Sequence, residues 1–168
     1  QSGQTAGSNG DQNLQHPFGF YEDISATNSQ GVGMVASAGA IGTGGYTTAI
    51  SLLANKDEYD INLLFLPGVV DQLANHSVVI TSAIEMCEDR GDCFLVYDNS
   101  SKTSNVATAK TNTEARNSSY CAVYYPWVQI QDATTGNFRF VPPSVVISGV
   151  YHFNDTIGQP WFAPAGLN

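Results

Sequence analysis

A chain of 168 residues is long enough for one domain whose folding removes about 70% of the unfolded surface from water. Six Lys and Arg stand against fifteen Asp and Glu, and the resulting formal charge of −9 argues against a nucleic-acid surface, because duplex affinity is dominated by cationic contacts. The three cysteines, Cys87, Cys93 and Cys121, have neither the even number of a disulfide framework nor the spacing of a zinc site, so buried free thiols are expected.

Residues 1–38 read as a polar, glycine-rich entry arm and peripheral segment, with Phe18, Phe20 and Tyr21 placed to tether it to a domain surface. The α/β domain proper is expected over 39–168. The stretch GVGMVASAGAIGTGG at 31–45 invites comparison with phosphate-cradling loops. The comparison fails: no lysine follows until Lys56, and the G-x-G-x-x-G order is not met. A short amphipathic helix is predicted over 46–55, with Ala49, Ile50, Leu53 and Ala54 on one side.

After a charged connection at 56–60, the apolar run 61–66 closed by Pro67-Gly68 predicts a strand covered on both faces. The spacing of Leu73, His76, Ile80, Ala83, Ile84 and Cys87 predicts a helix over 69–90, stopped by Gly91. A second buried strand follows at 93–97 and ends in Asp98-Asn99-Ser100-Ser101. Strand, helix and strand at this spacing make a βαβ unit, with parallel pairing and a right-handed crossover. Residues 103–118 are polar and suit a weak surface helix, and Thr111-Asn112-Thr113-Glu114 matches a capping box.

From Tyr120 the β-branched and aromatic residues Tyr120, Val123, Tyr125, Val128 and Ile130 predict one long strand. Asp132-Ala133-Thr134-Thr135-Gly136-Asn137 supplies a turn, and Phe138-Arg139-Phe140-Val141 returns. Pro142-Pro143-Ser144 opens a helix, with Val146, Gly149, Val150 and Phe153 at three- and four-residue steps. The run Val145-Val146-Ile147 would also suit a strand. The fold class is therefore α/β, a βαβ-based mixed sheet flanked by helices with an added strand pair and a C-terminal helix.

No catalytic residue can be nominated from the sequence. His16 lies in the entry arm, His76 among apolar helix positions and His152 beside Phe153, and no G-x-S-x-G elbow accompanies any of them. The adjacent carboxylates Glu22-Asp23, Asp57-Glu58 and Glu88-Asp89 read as solvated charge rather than acid/base couples. No D-x-D-x-D-G or H-E-x-x-H pattern marks a metal site, and no cofactor is indicated. No apolar run reaches membrane-spanning length, and the start lacks the basic and apolar regions of a signal peptide, so a soluble chain is expected. N-x-S/T matches at Asn75, Asn99, Asn117 and Asn154 are short enough to arise by chance.

The order YYPWVQIQDATTGNFRFVPPSVVISGVYHFND, then GQPWFAPAG, resembles the tail sheath proteins of contractile-tail bacteriophages. There a similar Tyr/Pro/Trp strand, D-x-x-T-G turn, VPPS helix start and W-x-x-PAG exit occur together. The likeness covers 120–168 well and 39–98 more loosely, where Gly42, Gly44 and Gly45 match a glycine-rich turn ahead of a helix. It implies a subtilisin-like core without a protease site, and a structural subunit of stacked hexameric rings around a tail tube that contract during DNA delivery. It also implies a virion location after assembly in the host cytoplasm. The absence of an initial Met, and the family's continuation past this point, suggest an internal segment of a longer protein. Contacts with the tube protein and baseplate would then lie outside it.

A sheath of a related contractile injection system would read the same way, and a hydrolase or small-molecule-binding α/β domain is the remaining alternative. The dense aromatic set Tyr120, Tyr124, Tyr125, Trp127, Phe138, Phe140, Tyr151, Phe153, Trp161 and Phe162 is expected to be mostly core. Tyr124, Trp127 and Trp161 are the candidates to meet a neighbouring subunit.

Overall fold

The computed structural model describes residues 24–29, 32–34, 43–159 and 161–164. Most of the entry arm, with His16, the Phe18–Tyr21 aromatics and Glu22-Asp23, therefore lies outside the described residues, as do Gly42 and most of the glycine-rich stretch.

The organising piece is a three-stranded parallel sheet in the order β3-β4-β5. β3 spans Leu63–Val70, β4 Phe94–Asp98 and β5 Cys121–Val123. Leu64 pairs with Leu95 and Phe65 with Val96; Leu95 in turn pairs with Cys121 and Val96 with Ala122. Helix α2, Ala74–Arg90, links β3 to β4, so the expected βαβ unit with parallel pairing is present. Ahead of the sheet lie a small antiparallel pair, β1 at Asn28–Ser29 and β2 at Val32–Gly33, and helix α1 at Thr43–Leu53. Helix α3 occupies Val106–Glu114 between β4 and β5. β6, Val128–Gln131, and β7, Phe138–Val141, form a separate antiparallel hairpin, followed by helix α4, Pro143–Ile157.

Strand alternation gives the sheet two differently covered faces. Leu66, Val69, Leu95 and Tyr97 join Val79, Ile80, Ala83, Ile84 and Cys87 of α2, Ile50 of α1 and Met34 in one buried cluster. Phe65 points the other way, where its ring lies 6.3 Å from that of Tyr151 on α4. The sheet is thus held between α1 and α2 on one side and α4 on the other. Among the described residues, no helix is long and apolar enough to cross a membrane.

Several boundaries depart from expectation. β3 does not close at Pro67-Gly68 but runs through them to Val70, and α2 begins only at Ala74. β3 is an edge strand, where a proline costs no ladder bond, and Gly68 at φ 84° absorbs the register shift between Phe65 and Val70. α1 starts at Thr43, so Gly44 and Gly45 lie inside its first turn rather than ahead of it. Thr111–Glu114 is the last turn of α3, not its start. The cap is Asn105, whose side chain accepts from the Thr108 N–H at 2.9 Å.

The predicted single strand over 120–131 is two strands in two sheets. A cis peptide at Tyr125-Pro126 separates them. The helix preferred after Ser144 is present, yet its inward face is Pro143, Ser144 and Asn154, with Ile147 and Tyr151 half-buried between them. Val150 and Phe153, expected to face inward, are exposed. None of the ten aromatics expected mostly in the core is buried, and among the described residues the buried aromatic is Tyr97. The hairpin that carries several of them leaves the parallel sheet, which removes the layer against which they would pack.

Candidate functional site

In open parallel sheets, ligands favour the carboxyl ends of the strands. Here that end is packed with the protein's own polar groups. β4 delivers Asp98, Asn99 and Ser100 in sequence, and all three are buried. Pro143 at the first turn of α4 leaves the next N–H free, and that of Ser144 donates to Asp98 Oδ1 at 3.1 Å. The Ser144 hydroxyl donates to Asp98 Oδ2 at 2.6 Å. Burial pushes the Asp98 carboxyl up to about 6, opposed by the Ser144 bonds and the Gly68 backbone.

Asn99 ties the same corner to α3. Its amide donates to the Ala109 carbonyl at 3.0 Å and to the Thr113 hydroxyl at 2.6 Å, and Asn112 donates to the Asn99 carbonyl at 3.1 Å. The indole of Trp127 donates to the Ser100 carbonyl at 2.8 Å, and the Tyr125 hydroxyl to that of Ser104 at 2.9 Å. The loop after β4 is therefore a junction joining the sheet, α3, α4 and the β5–β6 connection.

His76, in the first turn of α2, serves a different bond. Fully buried, it accepts the Val70 N–H at Nδ1, 3.1 Å away, which places the proton of the neutral ring on Nε2. Nε2 makes no bond of good hydrogen-bond geometry among the described residues, and burial holds the imidazole below its ordinary value, opposed in part by the Ser25 backbone. Ser144 and Asp98 bond directly to each other, with no imidazole interposed. His152 is exposed on the outer side of α4. Asp57-Glu58 and Glu88-Asp89 are exposed, as expected of solvated charge, and no cluster of three metal-ligating side chains occurs among the described residues.

A second polar knot joins α2 to the segment before β5. Arg116 grips Asp71 with Nε at 2.9 Å and Nη2 at 2.6 Å, and also reaches the hydroxyls of Thr81 and Ser77, each at 2.9 Å. Asp71 in turn accepts from Ser77 at 2.9 Å. These bonds use four of the five N–H groups of the guanidinium and leave little of it for a ligand.

No protein-family model matches the chain, and no curated protein does. What remains distinctive is its outer surface.

On the hairpin, the register places Val128 opposite Val141 and Ile130 opposite Arg139, so these four share one face. Phe138 and Phe140 lie opposite Gln131 and Gln129 on the other. Val128, Ile130, Phe138 and Phe140 are all exposed, so both faces of this ribbon offer apolar surface. The connecting turn is firmly built: Asp132 accepts the Thr134 N–H at 2.9 Å and the Thr135 hydroxyl at 2.9 Å, and Gly136 takes φ 71°. Lys102 stands 4.4 Å from the centre of the Phe140 ring.

α4 continues the pattern. Val145, Phe153 and Ile157 recur at multiples of four with Val150 beside them, forming an exposed apolar stripe opposite the one that meets the sheet. Gly149 lies in that stripe with open space where a side chain would go. Beyond the helix, Asn154 holds the exit by donating to the Phe162 carbonyl at 3.1 Å, and Trp161 is 80% exposed.

Of the three residues expected to meet a neighbour, Trp161 presents most of its ring outward. Tyr124 and Trp127 are half-buried with their polar ends engaged, the Tyr124 hydroxyl at 2.5 Å from that of Tyr151. The hairpin pair Phe138 and Phe140 and the α4 stripe escaped the sequence reading. Their signal was the apolar residue at every second position of a strand pair with no third strand to cover it.

Proposed function

We propose that the chain is the central core of a contractile tail sheath subunit, a structural and mechanical part rather than an enzyme. The observation that carries this reading is the exposed apolar surface of the hairpin, α4 and the Trp161 exit, which lies on the elements bearing the sheath-like order of motifs. Patches of this kind mark interaction sites when contiguous. In the proposed role, subunits stack as hexameric rings around a tail tube, and the rings shorten during DNA delivery. The subtilisin-like architecture belongs to the same proposal, with the parallel sheet between two helical layers as its support.

A hydrolase would need an imidazole to activate a serine. The buried serine–carboxylate pair among the described residues, Ser144 with Asp98, has the hydroxyl donating straight to the carboxylate, and both side chains are closed to solvent. That geometry suits a fastening rather than a nucleophile. A sheath from a related contractile injection system satisfies the same observations, and the genes beside this one would separate the two.

Electron microscopy of the intact parent protein expressed alone tests the reading. Sheath-like tubes or rings are the expected outcome; failure to form either under any assembly condition would overturn it.

A further inference from the structure

We propose that Cys87 and Cys93 are a disulfide-forming pair, closed by a small two-electron oxidant of the peroxide class. Cys87 lies in the last turn of α2 and Cys93 immediately precedes β4, with Gly91 at φ 71° turning the chain between them. The turn brings both side chains into the core, with the sulfurs 3.4 Å apart. Bonded sulfurs sit about 2 Å apart, so rotation of two short side chains closes the gap. The third thiol, Cys121 on β5, makes its contact with the Ser118 carbonyl at 3.9 Å and stays outside the pair.

Both sulfurs are buried, which bars a bulky disulfide reagent and favours a small oxidant. Burial also pushes the Cys87 thiol up to about 12, so the attacking thiolate is scarce and the reaction slow. In the first step one sulfur attacks peroxide; an S–O bond forms, the O–O bond breaks, and the departing hydroxide takes a proton to become water. In the second step the other sulfur displaces the hydroxyl of the sulfenic acid, the S–S bond forms, and its thiol proton leaves with that hydroxide as a second water. Two electrons pass from the thiol pair to the peroxide.

The closed loop holds Arg90 and Asp92. The Arg90 side chain donates to the Leu53 carbonyl and, at 2.8 Å, to the Tyr59 carbonyl, and pairs with Asp92 at 2.8 Å. Oxidation therefore clamps the end of α2 to the start of β4 at the corner that also anchors the end of α1.

The test exposes the purified chain to hydrogen peroxide, then counts alkylatable thiols after denaturation and maps linked peptides without reductant. The expected result is a fall from three thiols to one, a peptide linked through Cys87 and Cys93, and recovery of all three with dithiothreitol. Cys121→Ser should oxidise in the same way, while Cys87→Ala and Cys93→Ala should give no intramolecular link. Linkage through Cys121 would overturn the proposal. So would separate conversion of Cys87 and Cys93 to sulfinic acids, or three surviving thiols under peroxide that fully oxidises a short dithiol peptide.

Discussion

Asp98 is an ionisable group whose surroundings oppose its charge. Its carboxyl is raised to about 6 in the fold, above the value near 3.9 expected in an unfolded chain. Between those two values the folded protein holds a proton that the unfolded chain has lost, so this group's contribution to stability is full below pH 4, falls as pH rises toward 6, and is flat above. The difference is on the order of 2–3 kcal/mol. Urea unfolding of the wild type and Asp98→Asn across pH 4 to 7 should show their stability gap shifting by that amount in favour of the variant at the upper end. A gap independent of pH would mean that Asp98 does not titrate there. Arg116 works in the opposite sense, because its fork satisfies an Asp71 side chain that is only 7% exposed. Arg116→Met strands that carboxylate and should cost about 2–3 kcal/mol, read by the same denaturation, with Asp71→Asn on top of it recovering part of the loss.

Secondary elements here are fixed most firmly where a local signal and a tertiary partner agree. Gly91 ends α2 at φ 71°, with its N–H on the Cys87 carbonyl at 2.9 Å. A side chain at that position would meet the Tyr120 hydroxyl at an ordinary 3.8 Å, so the cost of Gly91→Ala is one of backbone conformation, about 1 kcal/mol in thermal or chemical unfolding. The same agreement explains what could be read in advance. The apolar spacing of α2, the strands around Leu64 and Leu95, and the Asp132–Gly136 turn each announce themselves within a few residues, although Leu63 is exposed and Leu64 half-buried where full cover was expected. The break between β5 and β6 carries a single mark, Pro126, which cannot donate to a ladder, set among strand-forming residues that continue on both sides while their partners change from β4 to β7. The inward face of α4 was hidden for a related reason. It is anchored by Ser144 and Asn154, polar residues that bury because Asp98 and the Phe162 carbonyl await them.

For the whole molecule, the proposed role makes surface and stability separable. Phe153 is 61% exposed, so a Phe153→Ser, Ile157→Ser double change should leave the unfolding temperature within a degree or two. In the intact parent protein it should abolish tubes or rings seen by electron microscopy; tubes of normal length would remove α4 from the assembly surface. The junction at Asp98, Asn99 and Ser144 was not legible beforehand, since its members come from two stretches more than forty residues apart and only the fold brings them together. The parallel sheet has one further consequence. β4 lies between two partners and beneath helices on both faces, whereas β6 and β7 pair, among the described residues, with each other alone. Amide hydrogens of Leu95, Val96 and Tyr97 should therefore trade with deuterium only when the whole domain opens, and those of the hairpin on a far shorter clock, until a neighbouring surface closes over them.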